Sequence, residues 1–150
     1  MADLRSQLRE LAQQVHSDGG WDYAPGQRLH LEPTCFAILA LSPHEENADV
    51  VNRARQWLET CAKKNGSYPL PEGREEAIWP TAMALFTKAS LGEESSKLDP
   101  LIRYLLSITG RTDVGTAADD IHDIDLTLRG WPWAEGNFSW VEPTAWACLA

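Results

Sequence analysis

An aromatic residue precedes a Pro-Thr pair by twelve positions three times in this chain: Trp21 to Pro33, Tyr68 to Pro80 and Trp131 to Pro143. A fixed gap in otherwise dissimilar sequence marks a repeated structural unit, and such a repeat decides the fold before any local propensity is weighed. Each unit runs from a small-residue turn into the aromatic, then to an apolar residue, Pro, Thr and Ala. The copies read Gly19-Gly20-Trp21 to Pro33-Thr34, Gly66-Ser67-Tyr68 to Pro80-Thr81-Ala82, and Gly130-Trp131 to Pro143-Thr144-Ala145. The Pro-Thr pairs stand 47 and then 63 residues apart, so an insertion of 16 residues is expected in the third unit, between Gly110 and Leu128.

Two kinds of helix alternate along the chain. The first is one-sided: Leu4, Leu8, Leu11 and Val15 share a face over 3–16, Val50, Val51, Ala54, Trp57, Leu58 and Cys61 over 48–64, and Leu101, Ile102, Leu105 and Leu106 over 99–109, opened by Asp99-Pro100. The second kind is opened by the Pro of each repeat, over 33–41, 80–90 and 143–150, and is apolar nearly all round. A helix without a polar face must be buried on most sides, so these are inner partners of the one-sided outer helices. The expected fold is all-α: an α/α toroid or solenoid of about three stacked hairpins, filling residues 1–150 as a single domain and half a ring. Its long Gly- and aromatic-rich loops gather at one rim. Because the sequence stops a few residues past Thr144, inside a helix, the toroid is expected to be incomplete, with an apolar edge.

Charge and composition narrow the partners. A formal charge of −9 with no basic stripe disfavours nucleic acid, and no run approaches the roughly 20 apolar residues of a membrane span. Without a signal sequence the expected compartment is the cytoplasm. Cys35, Cys61 and Cys148 show no ligand spacing and are expected to be buried free thiols.

A glycine-aromatic loop, a fixed gap and a proline-started apolar inner helix together resemble the terpenoid cyclase and protein prenyltransferase superfamily, and within it the squalene and hopene cyclase-like repeat proteins. That resemblance implies an apolar cavity for an isoprenoid or similar lipid. Class II cyclases of the family protonate an alkene or epoxide with an acid at the start of an inner helix, and Glu142-Pro143-Thr144-Ala145 is similar to one form of that motif, with Glu142 at the acid position. Asp123 and Asp125, in Asp123-Ile124-Asp125-Leu126-Thr127, resemble a second form, with Leu126 standing where the family has an acid. A carboxyl group that protonates carbon must be held neutral by apolar burial. The same Glu occurs in the first copy as Glu32, so a purely structural place beside the helix dipole is the competing reading.

In a cyclase, aromatic faces stabilise carbocations. Trp131, Trp133, Phe138, Trp140 and Trp146 crowd the third copy; Trp131 recurs as an anchor, and Trp133 and Trp140 are the better cavity-lining candidates because the other copies do not clearly repeat them. The zinc ligands of the prenyltransferases would have their only local start at His122 and Asp123, with no cysteine beside them, so neither metal nor cofactor is expected. Acid-initiated cyclisation is expected only in a longer chain. The alternative is a noncatalytic α/α scaffold that binds a protein partner, a second copy or the missing half of the ring.

Overall fold

The computed structural model describes residues 3–70, 76–112 and 127–150. Six α-helices alternate between outer and inner positions: α1 (Leu4–Gln13), α2 (Leu31–Leu41), α3 (Ala48–Thr60), α4 (Trp79–Ser90), α5 (Ser95–Leu106) and α6 (Val141–Leu149), with one 3-10 turn at Glu45–Asn47. Among the described residues no strand forms, only isolated bridges between loops. The three inner helices α2, α4 and α6 pack side by side with α4 central, and α3 and α5 lie against α2 and α4. The core is this seam, with Leu31, Cys35, Ile38, Leu41, Ala82, Met83 and Leu85 from inner helices meeting Val51, Ala54, Leu58, Leu101 and Leu105 from outer ones.

One hydrogen bond explains the twelve-residue spacing. The backbone N–H of Trp21 donates to Thr34 Oγ1, that of Tyr68 to Thr81 Oγ1 and that of Trp131 to Thr144 Oγ1, each at 2.9 Å. The loop length is therefore fixed by the reach between an aromatic residue's amide and a hydroxyl in the first turns of the inner helix. A second bond closes the neck of each loop: His16 N to Gly20 O at 3.0 Å, Lys63 N to Ser67 O at 2.8 Å and Gly110 N to Gly130 O at 2.9 Å. The first two necks span four residues and the third spans twenty, which places the 16-residue insertion between Gly110 and Gly130 as the sequence implied.

Thr81 is fully buried, so Thr81→Val should cost about 1–3 kcal/mol by leaving the Tyr68 amide without an acceptor, the usual penalty for an orphaned buried donor. Exposed Thr60→Val provides a near-neutral comparison, both read from urea midpoints.

Glycine is required at two of these turns. Gly19 and Gly66 hold φ of +99° and +88° and lie against the next outer helix; a Cβ on Gly19 would stand 2.6 Å from the Arg53 carbonyl oxygen, and one on Gly66 closer still to that of Pro100. Arg53 and Pro100 are 47 residues apart, so the same loop-on-helix contact is built twice.

Three boundaries depart from the sequence reading. The inner helices start one or two residues ahead of their prolines, because the first four amides of a helix have no internal acceptor and proline is tolerated anywhere among them. Helix α5 starts at Ser95, not at Asp99, and Pro100 lies inside it. The carbonyl that Pro100 cannot serve, that of Ser96, belongs to an exposed turn where water can satisfy it. Of the three free thiols only Cys35 is buried; Cys61 is half-buried and Cys148 is exposed on the uncovered side of α6.

Candidate functional site

The inner helices meet around three aromatic rings. The Trp146 ring of α6 lies 5.9 Å from that of Phe36 on α2 and 5.6 Å from that of Phe86 on α4. Phe36 and Trp146 occupy one repeat register, and Met83, the α4 residue at that register between them, is buried beneath their meeting. Contact between the first and third inner helices across the second means that the inner layer is curved, with the rings on its concave side. Phe36 keeps 45% of its surface exposed, so the cluster has an accessible apolar face. Offset and edge-on rings of this kind offer area and a negative π face to an apolar or cationic guest.

At the loop rim the structure separates the tryptophans named by sequence. Trp131 is an anchor: its indole N–H donates to the Leu105 carbonyl at 2.8 Å, as that of Trp21 donates to Leu11 at 2.9 Å. Trp133 stacks edge-on against Trp79 at 5.8 Å, and its carbonyl accepts from Ile78 N at 3.0 Å, joining the third loop to the second. Trp140 caps α6 and is half exposed. These last two are not unique to their copy, since Tyr23 and His30 fill the same registers in the first, with rings 4.7 Å apart. The recurrence is of aromatic shape and not of residue type.

Glu142 lies exposed in the first turn of α6. Its counterpart Glu32 accepts a hydrogen bond from the Tyr23 hydroxyl, and burial together with that carboxylate pushes the Tyr23 phenol well above its ordinary range. Asp123 and Asp125, with His122, lie outside the described residues. Among the described residues no group of three or more His, Cys, Asp or Glu is placed to hold a metal.

A buried ionic cluster escaped the sequence reading altogether. Lys88 of α4 is 2% exposed and pairs with Glu59 of α3 and with Glu93 at 3.0 Å, while Arg55 reaches Glu93 at 3.1 Å. Burial opposes the Lys88 charge, but the two carboxylates outweigh it and raise its pKa; burial likewise opposes the charge of Glu93, and Lys88 and Arg55 outweigh it and lower its pKa. Tyr68 sits beside them, its phenol pushed up to about 12 chiefly by burial. The first copy has Leu8, Ala12, Trp21 and Leu41 where the second has Arg55, Glu59, Tyr68 and Lys88, all 47 residues on. The register comparison was thus the available signal: in copy two an apolar set has been replaced as a group by a charged one.

Helical hairpins with inner and outer layers, joined by loops on one rim, define an α/α toroid-type repeat protein. A sequence model of the prenyltransferase alpha-alpha toroid domain matches residues 2–123, and the chain belongs to that family. No curated protein matches it. No helix among the described residues is long and apolar enough to cross a membrane.

Proposed function

We propose that this chain binds an isoprenoid or similar lipid on its concave inner face, with Phe36, Phe86 and Trp146 as the floor. The observation that carries this reading is the junction of those three rings on three different inner helices, with an exposed face left on Phe36. Trp133 and Trp140 stand at the rim, where the ligand would enter, and Trp131 acts by holding the loop to α5. In the squalene-hopene cyclase-like form of this reading, Glu142 is the proton donor, with Asp125 and Asp123 as the alternatives. Protonation of carbon needs a neutral, water-shielded carboxyl, so turnover belongs to a ring more complete than these three hairpins.

The scaffold alternative is favoured by a different observation, the exposed apolar side of α6, where Val141 is 85% exposed. Titration of tryptophan fluorescence with geranylgeraniol separates the two. Lipid binding predicts saturable quenching that weakens about tenfold or more in Phe36→Asp, a loss of about 1.4 kcal/mol, with the thermal midpoint little changed because Phe36 is already half exposed. Absence of quenching in the wild type, or equal affinity in Phe36→Asp, would remove the lipid reading. Glu142→Gln should leave affinity intact and abolish any cyclised product detected by gas chromatography; unchanged product would return Glu142 to a capping role.

A further inference from the structure

The stripe Val141, Ala145, Cys148 on α6 has the same repeat register as Leu31, Cys35, Ile38 on α2 and Ile78, Ala82, Leu85 on α4. In the first two copies this line is the most deeply buried in the protein. On α6 every one of its residues, and Leu149 beside them, is exposed. What covers the stripe elsewhere is on hand to see: α2 is packed by the outer helix that follows it, α3, and α4 by α5. The α3 face that does this carries Val51, Ala54 and Leu58, and the α5 face carries Leu101 and Leu105. The missing cover of α6 is thus an outer helix with the same apolar spacing.

The opposite end of the molecule holds such a helix with the reverse deficit. Helix α1 contains no buried residue. Leu4, in the register of Val51, is 64% exposed on α1, whereas Val51 is buried, because α3 has an inner helix ahead of it and α1 has none. One end is an inner helix without a following outer helix, and the other is an outer helix without a preceding inner one.

We infer that a second copy of this chain supplies the cover: α1 of each protomer docks on α6 of the other, continuing the α2–α3 interface across the protomer boundary. A head-to-tail contact of this kind closes when the rotation per unit permits, and the curvature shown by the Phe36–Trp146 contact bends the inner layer in the required sense. Two protomers joined at both ends make a ring of six hairpins with neither end left over. Position 142 is half-buried in the covered copies, as Glu32 and Trp79, so the same contact draws Glu142 out of full solvent exposure. The inference rests on the repeat geometry and stands whether or not the concave face binds lipid.

The test uses two exposed positions at opposite ends, Leu4→Glu and Cys148→Arg. In the first hairpin their counterparts Val51 and Ile38 flank the short connection between α2 and α3, so the two substituted residues would face each other across the new contact. Sedimentation equilibrium of the 150-residue chain should give twice 16.7 kDa for the wild type and 16.7 kDa for each variant alone, with unchanged helical circular dichroism. An equal mixture of the two variants should return to the doubled mass, because one contact is then wild type and the other pairs Glu with Arg. A monomeric wild type overturns the inference, as does a dimer that ignores Leu4→Glu, a mixture that stays monomeric, or a ladder of larger species in place of a closed pair.

Discussion

Replacing Lys88 by methionine should destabilise the protein by about 3–5 kcal/mol, the range for removing one partner of a buried ion pair. The substitution retains most of the side-chain volume, so the loss comes from Glu93, whose side chain is 5% exposed and would be left with Arg55 alone. Glu59→Gln breaks the other arm of the cluster, but Glu59 is 55% exposed and water replaces the contact, so a loss below about 1 kcal/mol is expected. The two results together show which carboxylate holds the lysine in the core.

The same cluster sets a pH dependence whose sign follows from the shifts. Glu93 is lowered from its ordinary 4.5, so its contribution is complete above that value and is lost as pH falls through the depressed pKa. Lys88 is raised from 10.5, so its contribution is complete below that value and is lost as pH rises through the elevated one; Tyr68, raised to about 12, adds to the same alkaline limb from pH 10 upward. Urea midpoints should therefore form a plateau between the ordinary carboxylate and phenol ranges and fall on either side. In Lys88→Met the acid limb should move to higher pH, because Glu93 has lost its main source of stabilisation. Identical acid limbs in the two proteins would mean that the pair contributes nothing to the folded state.

The hairpins were legible in sequence because a single bond, aromatic amide to threonine hydroxyl, tolerates neither a longer loop nor another residue at the threonine position. The ends of the outer helices were less so. Apolar periodicity carries α1 to His16 and α3 to Lys64, yet the helices stop at Gln13 and Thr60, because His16 and Lys63 turn their amides to close the loop necks. Pro100 read as a helix start since proline favours that place, and only the exposure of the preceding turn reveals that it is internal. The aromatic floor had no local signature: Phe36, Phe86 and Trp146 are scattered over 110 residues, and it is the curvature of the inner layer that joins them. Lys88 was invisible for the opposite reason, because a lone lysine in an apolar helix ordinarily marks the solvent side, and its partners come from two other segments.

The largest expected loss from a single aromatic is at Trp21. It is 3% exposed, donates its amide to Thr34 and its indole N–H to Leu11, and accepts from His30 N at 2.8 Å, so one residue ties the loop to both helices of its hairpin. Trp21→Ala should cost about 3–5 kcal/mol from lost burial and the cavity left behind. Trp21→Phe separates the contributions: it keeps most of the apolar area but leaves the Leu11 carbonyl without the indole donor, for a loss of about 0.5–1.5 kcal/mol above the small change in size. Trp131 makes the same bonds through Thr144 and Leu105 but is only half-buried, because α6 has no further hairpin beyond it. Its alanine variant should therefore lose less than that of Trp21 although the two are equivalent in sequence. Guanidinium midpoints at a common slope give the comparison. Equal losses at both sites would mean that the anchor's value lies in its bonds and not in its burial, and a change near zero at Trp21 would show that the repeated aromatic does not hold the hairpin together.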